Sequence, residues 1–426
     1  MPVGVAAWPA AHCRENSDPI RAPPLALAAR IRTAGHINLA LDSFVSRHTD
    51  GMPSERSIVT GPCPRPILRF QVRGGLNNQK ECLVNAAIVA HELGVTLALP
   101  HFDLIGSGNE KFEPSGASYV GPYGDRSRWG HFGHLFNASR FVHGLKGHVA
   151  LLQRLRPVLG AGKPHSVRLP SDFAASCKIH ANKKTCEAHE GDRSLLNELI
   201  ASWRQAIATD CATPTGANAT VFDAGQSLCW NAYKSRFAGV CTRQLPVCGN
   251  VLRALGWNRQ IERLQSRVLH GLSRALSNAS VTSSSPSAPP AWVAVHVRAF
   301  VCARNHREPT FGHVVEALRR QGITSGLLYL VSSVQLADVQ RALPGFTVVA
   351  KSTFLGEGVR LQYPFEVLAA VDYGIAVAAP HYLGEPSMSS FDAFADEERQ
   401  RRNRPEVAEI PSTCGSNASD LDVAHA

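Results

Sequence analysis

From Pro66 onward, Ile67, Leu68, Phe70 and Val72 form a short apolar run that stops at Gly74 and Gly75. A run of that length ending in two glycines predicts a buried strand followed by a tight turn. Cys82, Ala86, Val89, Ala90 and Leu93 then recur at helical spacing, Gly94 supplies the stop, and residues 95–100 read as a second strand. Two strands joined by one helix pair in parallel through a right-handed crossover, which commits this part of the chain to an α/β fold.

The stretch 101–275 parses less cleanly, with helices expected near 145–156, 194–208 and 249–275. Residues 277–290 hold six serines and three prolines, the composition of a linker or exposed loop. A second α/β series follows. Residues 292–297, 327–331 and 346–349 read as strands and the region of Val314, Val315 and Leu318 as a helix. Residues 365–371 read as helix, 375–379 as strand and 391–399 as helix. With 426 residues and 44% hydrophobic content, two cores are expected. The resulting division is an extension over 1–60, an N-terminal acceptor-side Rossmann-like domain over 61–276, a linker over 277–290, a C-terminal nucleotide-sugar domain over 291–412 and a tail over 413–426. Two α/β series around a linker suggest Rossmann-like halves facing a cleft.

Three places carry chemistry. At 74–79 the sequence Gly-Gly-Leu-Asn-Asn-Gln ends a strand and feeds a helix, so bare backbone N–H groups meet the positive end of that helix and an anion belongs there. The same residues also read as an ordinary turn with a capping Asn. The spacing matches neither Walker A nor GxGxxG.

His296-Val297-Arg298 closes the first strand of the second series. At the carboxyl end of a parallel sheet these side chains project into the ligand crevice, where an arginine fork can grip two phosphate oxygens; a strand simply surfacing into a polar loop is the plainer alternative. The third place is Asp372, read at a helix end where an acid opposes the macrodipole, with Ser389-Ser390-Phe391 opening the next helix. The serines fit either a phosphate or a helix cap.

Taken in order, GGLNNQ, LALP, VAVHVR, AAVDYGIAVA and SSF before an arginine-bearing helix resemble the O-fucosyltransferase family over roughly residues 66–402. FGHLFNASRFVHGL at 132–145 resembles another motif of that family, with Asn137 where the pattern has Asp. The resemblance implies a GT-B-type fold and inverting transfer of fucose from GDP-fucose to a hydroxyl of a protein or glycan acceptor. It implies no required metal and no cofactor beyond the donor.

By matching positions, Asn78 sits beside the sugar, with Gly74, Gly75 and Asn77 lining the turn. Arg298 holds the β-phosphate, His296 assists donor binding, and Asp372 reads the base. Ser389, Ser390 and Phe391 hold the phosphates and flank the nucleoside. Arg298 is followed by Ala-Phe-Val-Cys, not the acidic continuation of many relatives. The group that deprotonates the acceptor therefore stays open among Glu308, Glu357 and Glu385. A related branch with these motifs uses UDP-rhamnose, and a non-catalytic descendant that binds glycan or nucleotide is the rival from another class.

The net charge of +10 is scattered, favouring anionic ligands such as nucleotides over a nucleic-acid stripe. His131, His134, His143 and His148 crowd one region without the companions of a metal site. No apolar run is long enough to span a bilayer, and residues 1–30 lack the order of a signal peptide. Eleven cysteines and the sequons at Asn137, Asn218, Asn278 and Asn417 lean toward a lumenal, glycosylated protein, as does the Golgi or endoplasmic-reticulum placement of the family. Cys211, Cys229, Cys241 and Cys248 are candidates for stapling an irregular insertion.

Overall fold

The computed structural model describes residues 66–72, 74–104, 129–152, 165–169, 193–211, 220–225, 228–229, 246–282, 292–297, 311–332, 336–356, 358–386 and 389–410. All of them lie in one compact unit, Ser57–Ala426.

In the first half, β1 (Ile67–Arg69) leads through Gly74 and Gly75 into α1 (Leu76–Leu93), and β2 (Thr96–Ala98) returns parallel to β1. Gly94 ends α1 in the left-handed conformation, as its sequence position predicts. Next come β3 (Phe102–Asp103) paired antiparallel with β4 (Trp129–Gly130), α2 (Ala138–Gly144), β5 (Leu151–Leu152) and β6 (His165–Arg168). Then follow α3 (Arg193–Cys211), β7 (Thr220–Asp223), α4 (Pro246–Ala254) and α5 (Arg259–Thr282). The main sheet is parallel, in the order β5-β2-β1-β7-β6.

Three expectations fail here. The segment expected to be helical over 145–156 instead carries β5: Leu151 joins the main core while Leu152 packs with Ile67, Ala98 and Val221, a period of two rather than 3.6. The helix expected over 249–275 is two helices, because Asn258 Oδ1 accepts from the Ile261 N–H at 2.9 Å and starts α5 afresh. The serine-rich segment expected as linker from 277 is helical to Thr282.

In the second half, β8 (Trp292–His296), α6 (Phe311–Arg320), β9 (Gly326–Val331), α7 (Leu336–Ala342) and β10 (Phe346–Val349) alternate. They are followed by α8 (Lys351–Leu355), α9 (Val359–Gln362), α10 (Phe365–Ala378), β11 (His381–Gly384), α11 (Ser390–Arg401) and β12 (Ala408–Glu409). This sheet is also parallel, in the order β10-β9-β8-β11-β12. Along β8 the faces alternate: Val293 and Val295, with Val297 just beyond, enter one core, while Trp292 and Ala294 enter the core shared with the first half.

Residues 375–379, expected as a strand, belong almost entirely to α10. That helix is buried on nearly every side, so its apolar run has no polar stripe to reveal a helical period. Arg399, fully buried, caps it by donating from Nη1 to the Ala376 and Ala379 carbonyls at 2.9 and 2.7 Å, a cation at the negative helix end.

The expected α/β class with two parallel, Rossmann-like sheets is therefore the observed one. In each sheet the strand order reverses at the strand that opens its series, β1 and β8. A ligand crevice forms at the carboxyl ends of such strands.

Candidate active site

Gly74 follows β1 at its switch point with φ +79°, a conformation that costs any other residue. A Cβ there would lie 2.6 Å from Asn78 Nδ2, so the glycine serves both the turn and the asparagine. Gln79, fully buried, locks the turn by donating to the Gly74 and Asp103 carbonyls at 2.9 and 2.7 Å and accepting from the Asp103 N–H at 2.7 Å.

The N-terminus of α1 does meet an acceptor group, but the chain supplies it. Gly75, at the cap position, offers no side chain and no acid lies in the first turn. Glu366 of α10, fully buried, accepts from the Leu76 N–H at 2.8 Å through Oε2, while its Oε1 has no hydrogen-bond partner among the described residues. Burial raises the Glu366 carboxyl well above its usual range; the Leu76 bond opposes this and nearby Asp103 adds to it. Of the N–H groups that follow Gly74 and Gly75, where a phosphate was expected, that of Leu76 is taken by an internal carboxyl. Asn77 is 3% exposed, with both amide atoms unpartnered among the described residues.

Across from the turn, α11 opens with the two serines in different roles. Ser389 is its N-cap, accepting from the Asp392 N–H, whereas Ser390 Oγ donates to Asn78 Oδ1 at 2.6 Å. Phe391 packs its ring 4.8 Å from that of His296 and 5.5 Å from that of Tyr373. His296 closes β8 and places Nδ1 2.8 and 2.9 Å from the two oxygens of Asp392. Asp392, fully buried, also accepts from Tyr382 Oη and, at 2.9 Å, from the Glu385 N–H. Desolvation alone would raise the Asp392 carboxyl; His296 and these hydrogen bonds outweigh it and hold the group below its usual range. The structure therefore brings Gly74, Asn78, Ser389, Ser390, Phe391 and His296 into one connected set.

Asp372 stands apart from this set. It lies inside α10 rather than at a helix end, so the macrodipole argument for a ligand there loses its premise. Its oxygens accept from Tyr329 Oη at 2.8 Å and Lys351 Nζ at 2.5 Å. Arg298, Glu308 and Glu357 lie outside the described residues.

Sequence reasoning missed Glu366, Asp392 and Lys80. Ser389-x-x-Asp392 has the spacing of a capping box, a signal that was available. Lys80, one turn of α1 from Asn77, is buried with Nζ 3.1 Å from Tyr373 Oη, 4.5 Å from the centre of that ring and 5.0 Å from the centre of the Phe394 ring. Burial lowers its pKa to about 8, with Glu398 pulling the other way. Asn137, where the family motif has Asp, caps α2 by accepting from the Arg140 N–H at 2.9 Å, a place either residue fills.

The family described as GDP-fucose protein O-fucosyltransferase matches residues 67–310, more than half of the chain and every motif from β1 through Arg298. The chain belongs to this family. It is a glycosyltransferase by that membership; the Ser389–Asp392 segment lies beyond the matched range. Among solved structures, the apo form of POFUT1 is 14% identical with a TM-score of 0.48, covering 84% of this chain and 100% of that one. POFUT1 in complex with GDP-fucose is 13% identical with a TM-score of 0.47, covering 83% and 99%. The fucosyltransferase NodZ from Bradyrhizobium is 17% identical with a TM-score of 0.41, covering 78% and 92%. No curated protein sequence matches the chain.

The cysteine expectation is revised. Cys229 pairs with Cys82 of α1, 147 residues away, rather than within the insertion around it. Cys211 is also disulfide-bonded. Among the described residues, no helix is long and apolar enough to cross a membrane, and no group of three or more His, Cys, Asp or Glu is arranged to hold a metal.

Proposed function

We propose that this O-fucosyltransferase family member transfers fucose from GDP-fucose to a hydroxyl of a protein or glycan acceptor, with inversion and without a metal. The observation that carries this reading is the Ser390–Asn78 hydrogen bond, which joins the turn after β1 to the start of α11. It links the family's sugar-proximal asparagine to a residue of its phosphate-binding segment. The N-terminal half then serves the acceptor and the C-terminal half the nucleotide.

In this mechanism Asn78 orients the reacting sugar. Arg298, two residues beyond His296, supplies the fixed positive charge that a departing diphosphate requires. The N-terminus of α11 adds the Ser390 and Phe391 N–H groups and the Ser389 hydroxyl as donors. Phe391 flanks the nucleoside. Asp372, with both oxygens engaged, is left as a support of α10 in this reading. Family placement and the Cys82–Cys229 disulfide both favour the oxidising lumen of the secretory pathway.

The test is release of GDP from GDP-fucose by the purified chain, with and without a chelator, alongside NMR of the fucosylated product. Chelator-insensitive GDP release and an inverted anomeric centre support the proposal. No turnover with any of a panel of glycan and folded-domain acceptors, or a retained configuration, contradicts it.

A further inference from the structure

The pairing behind His296 has a role that donor contact alone does not explain. Asp392 sits third in α11, where a carboxylate ordinarily turns back to the cap residue's N–H. Here the Ser389 N–H bonds instead to the Glu385 carbonyl at 2.8 Å. The Asp392 side chain turns toward β8 and β11, where three donors converge on it: His296 Nδ1, Tyr382 Oη and the Glu385 N–H. Gly384 makes the space, since a Cβ at that position would lie 2.7 Å from the Asp392 Cγ. An ionised carboxylate accepts and cannot donate, so the hydrogen between it and His296 belongs to Nδ1. Nε2 is then the ring nitrogen left to meet a ligand, while the His296 side chain is only 14% exposed and rests on Phe391.

We propose that Asp392 is a positioning residue for the donor diphosphate: it holds His296 with hydrogen on Nδ1 and fixes the ring so that Nε2 faces the bound nucleotide. The inference rests on the proposed nucleotide site. It gives that site a buried second layer built from α11 and β11. Tyr382 and the Glu385 N–H hold Asp392 in turn, so His296 orientation is tied to the first turn of the same helix whose serines are proposed to hold phosphate.

The experiment combines NMR of 15N-histidine-labelled full-length protein with GDP titration. The His296 signals are assigned by their loss in His296→Gln. In the wild type at mildly alkaline pH the expected His296 tautomer carries hydrogen on Nδ1; in Asp392→Asn the expected result is a mixed or Nε2–H population. For GDP affinity, Asp392→Asn is expected to lose about tenfold, as charge-assisted bonds are roughly twice as strong as neutral ones. The same change is expected to cost nothing further in a His296→Gln background. Tyr382→Phe, which removes another donor to Asp392 but leaves the His296 contact, is expected to keep the tautomer and lose less than threefold in affinity.

An Nε2–H tautomer in the wild type, or additive losses in the double variant, overturns the positioning role. Absence of GDP binding by the wild type overturns the nucleotide site itself, and the tautomer measurement still reports on Asp392 separately.

Discussion

Ser390 Oγ donates to Asn78 Oδ1 across 312 positions of sequence, at 2.6 Å. The bond fixes which way the Asn78 amide faces: the oxygen is taken by the serine, and Nδ2 points toward the space beside Gly74. Because the two side chains share one hydrogen bond, Asn78→Ala and Ser390→Ala are expected to be non-additive. A double-mutant cycle by urea unfolding should return a coupling of about 1 kcal/mol. Additive losses would mean that the two act independently.

Neighbouring glycines should respond differently to the same change. Gly74→Ala places a side chain at φ +79° and against Asn78 Nδ2, with an expected cost of about 2 kcal/mol and at least tenfold in transfer rate. Gly75 has φ −70° and its nearest neighbour to an added Cβ is 3.8 Å away, so Gly75→Ala should stay within about 0.5 kcal/mol. Thermal unfolding and donor turnover measured side by side separate the two.

Glu366 predicts a pH dependence of stability. Its folded-state pKa is raised, first by burial, so above the usual carboxyl range the folded chain holds a proton that the unfolded chain has lost. The stability this group contributes is present at low pH and lost as pH rises through its folded value. Glu366→Gln keeps an acceptor for the Leu76 N–H and removes the titration. Denaturation midpoints across pH 5–8 should therefore decline less steeply with pH in the variant than in the wild type.

Cys82 is fully buried in α1 and bonded to Cys229 just beyond β7, closing a loop of 147 residues. Chain-entropy arguments for a loop that long give about 4–5 kcal/mol of stabilisation. Cys82→Ala with Cys229→Ala should lower the urea midpoint accordingly. The variant should also show a smaller response to reductant than the wild type; an unchanged response would place the reductant-sensitive stability elsewhere.

The elements that sequence made legible are those with a visible period or a punctuating glycine. β1, α1 and β2 follow from Ile67–Val72, the glycine pair and Gly94, and β8, β9 and β10 follow from runs of apolar residues bounded by turns. What stayed hidden has physical causes. α10 is apolar on nearly every face, so Ile375–Ala379 carries no helical period. α1 is buried yet holds Gln79 and Asn85, which bond to backbone carbonyls of the first half, and Lys80, which bonds to Tyr373 of the second. In the site, Asn78, His296 and the serine pair were readable as motifs. Glu366 was not, and Asp392 showed only its capping-box spacing, since their partners at Leu76 and His296 lie 290 and 96 positions away. Only the folded chain shows that the carboxyl at the start of α1 is its own.

The central claim is a guanosine diphosphate-sugar site formed where Asn78, Ser390 and His296 meet. Calorimetry of the purified chain with GDP and with UDP, repeated on Arg298→Ala, tests it most directly. The account predicts saturable GDP binding, weaker binding of UDP, and at least a tenfold loss of GDP affinity in the Arg298 variant. Equal or tighter binding of UDP, or no nucleotide binding by the wild type, would contradict it.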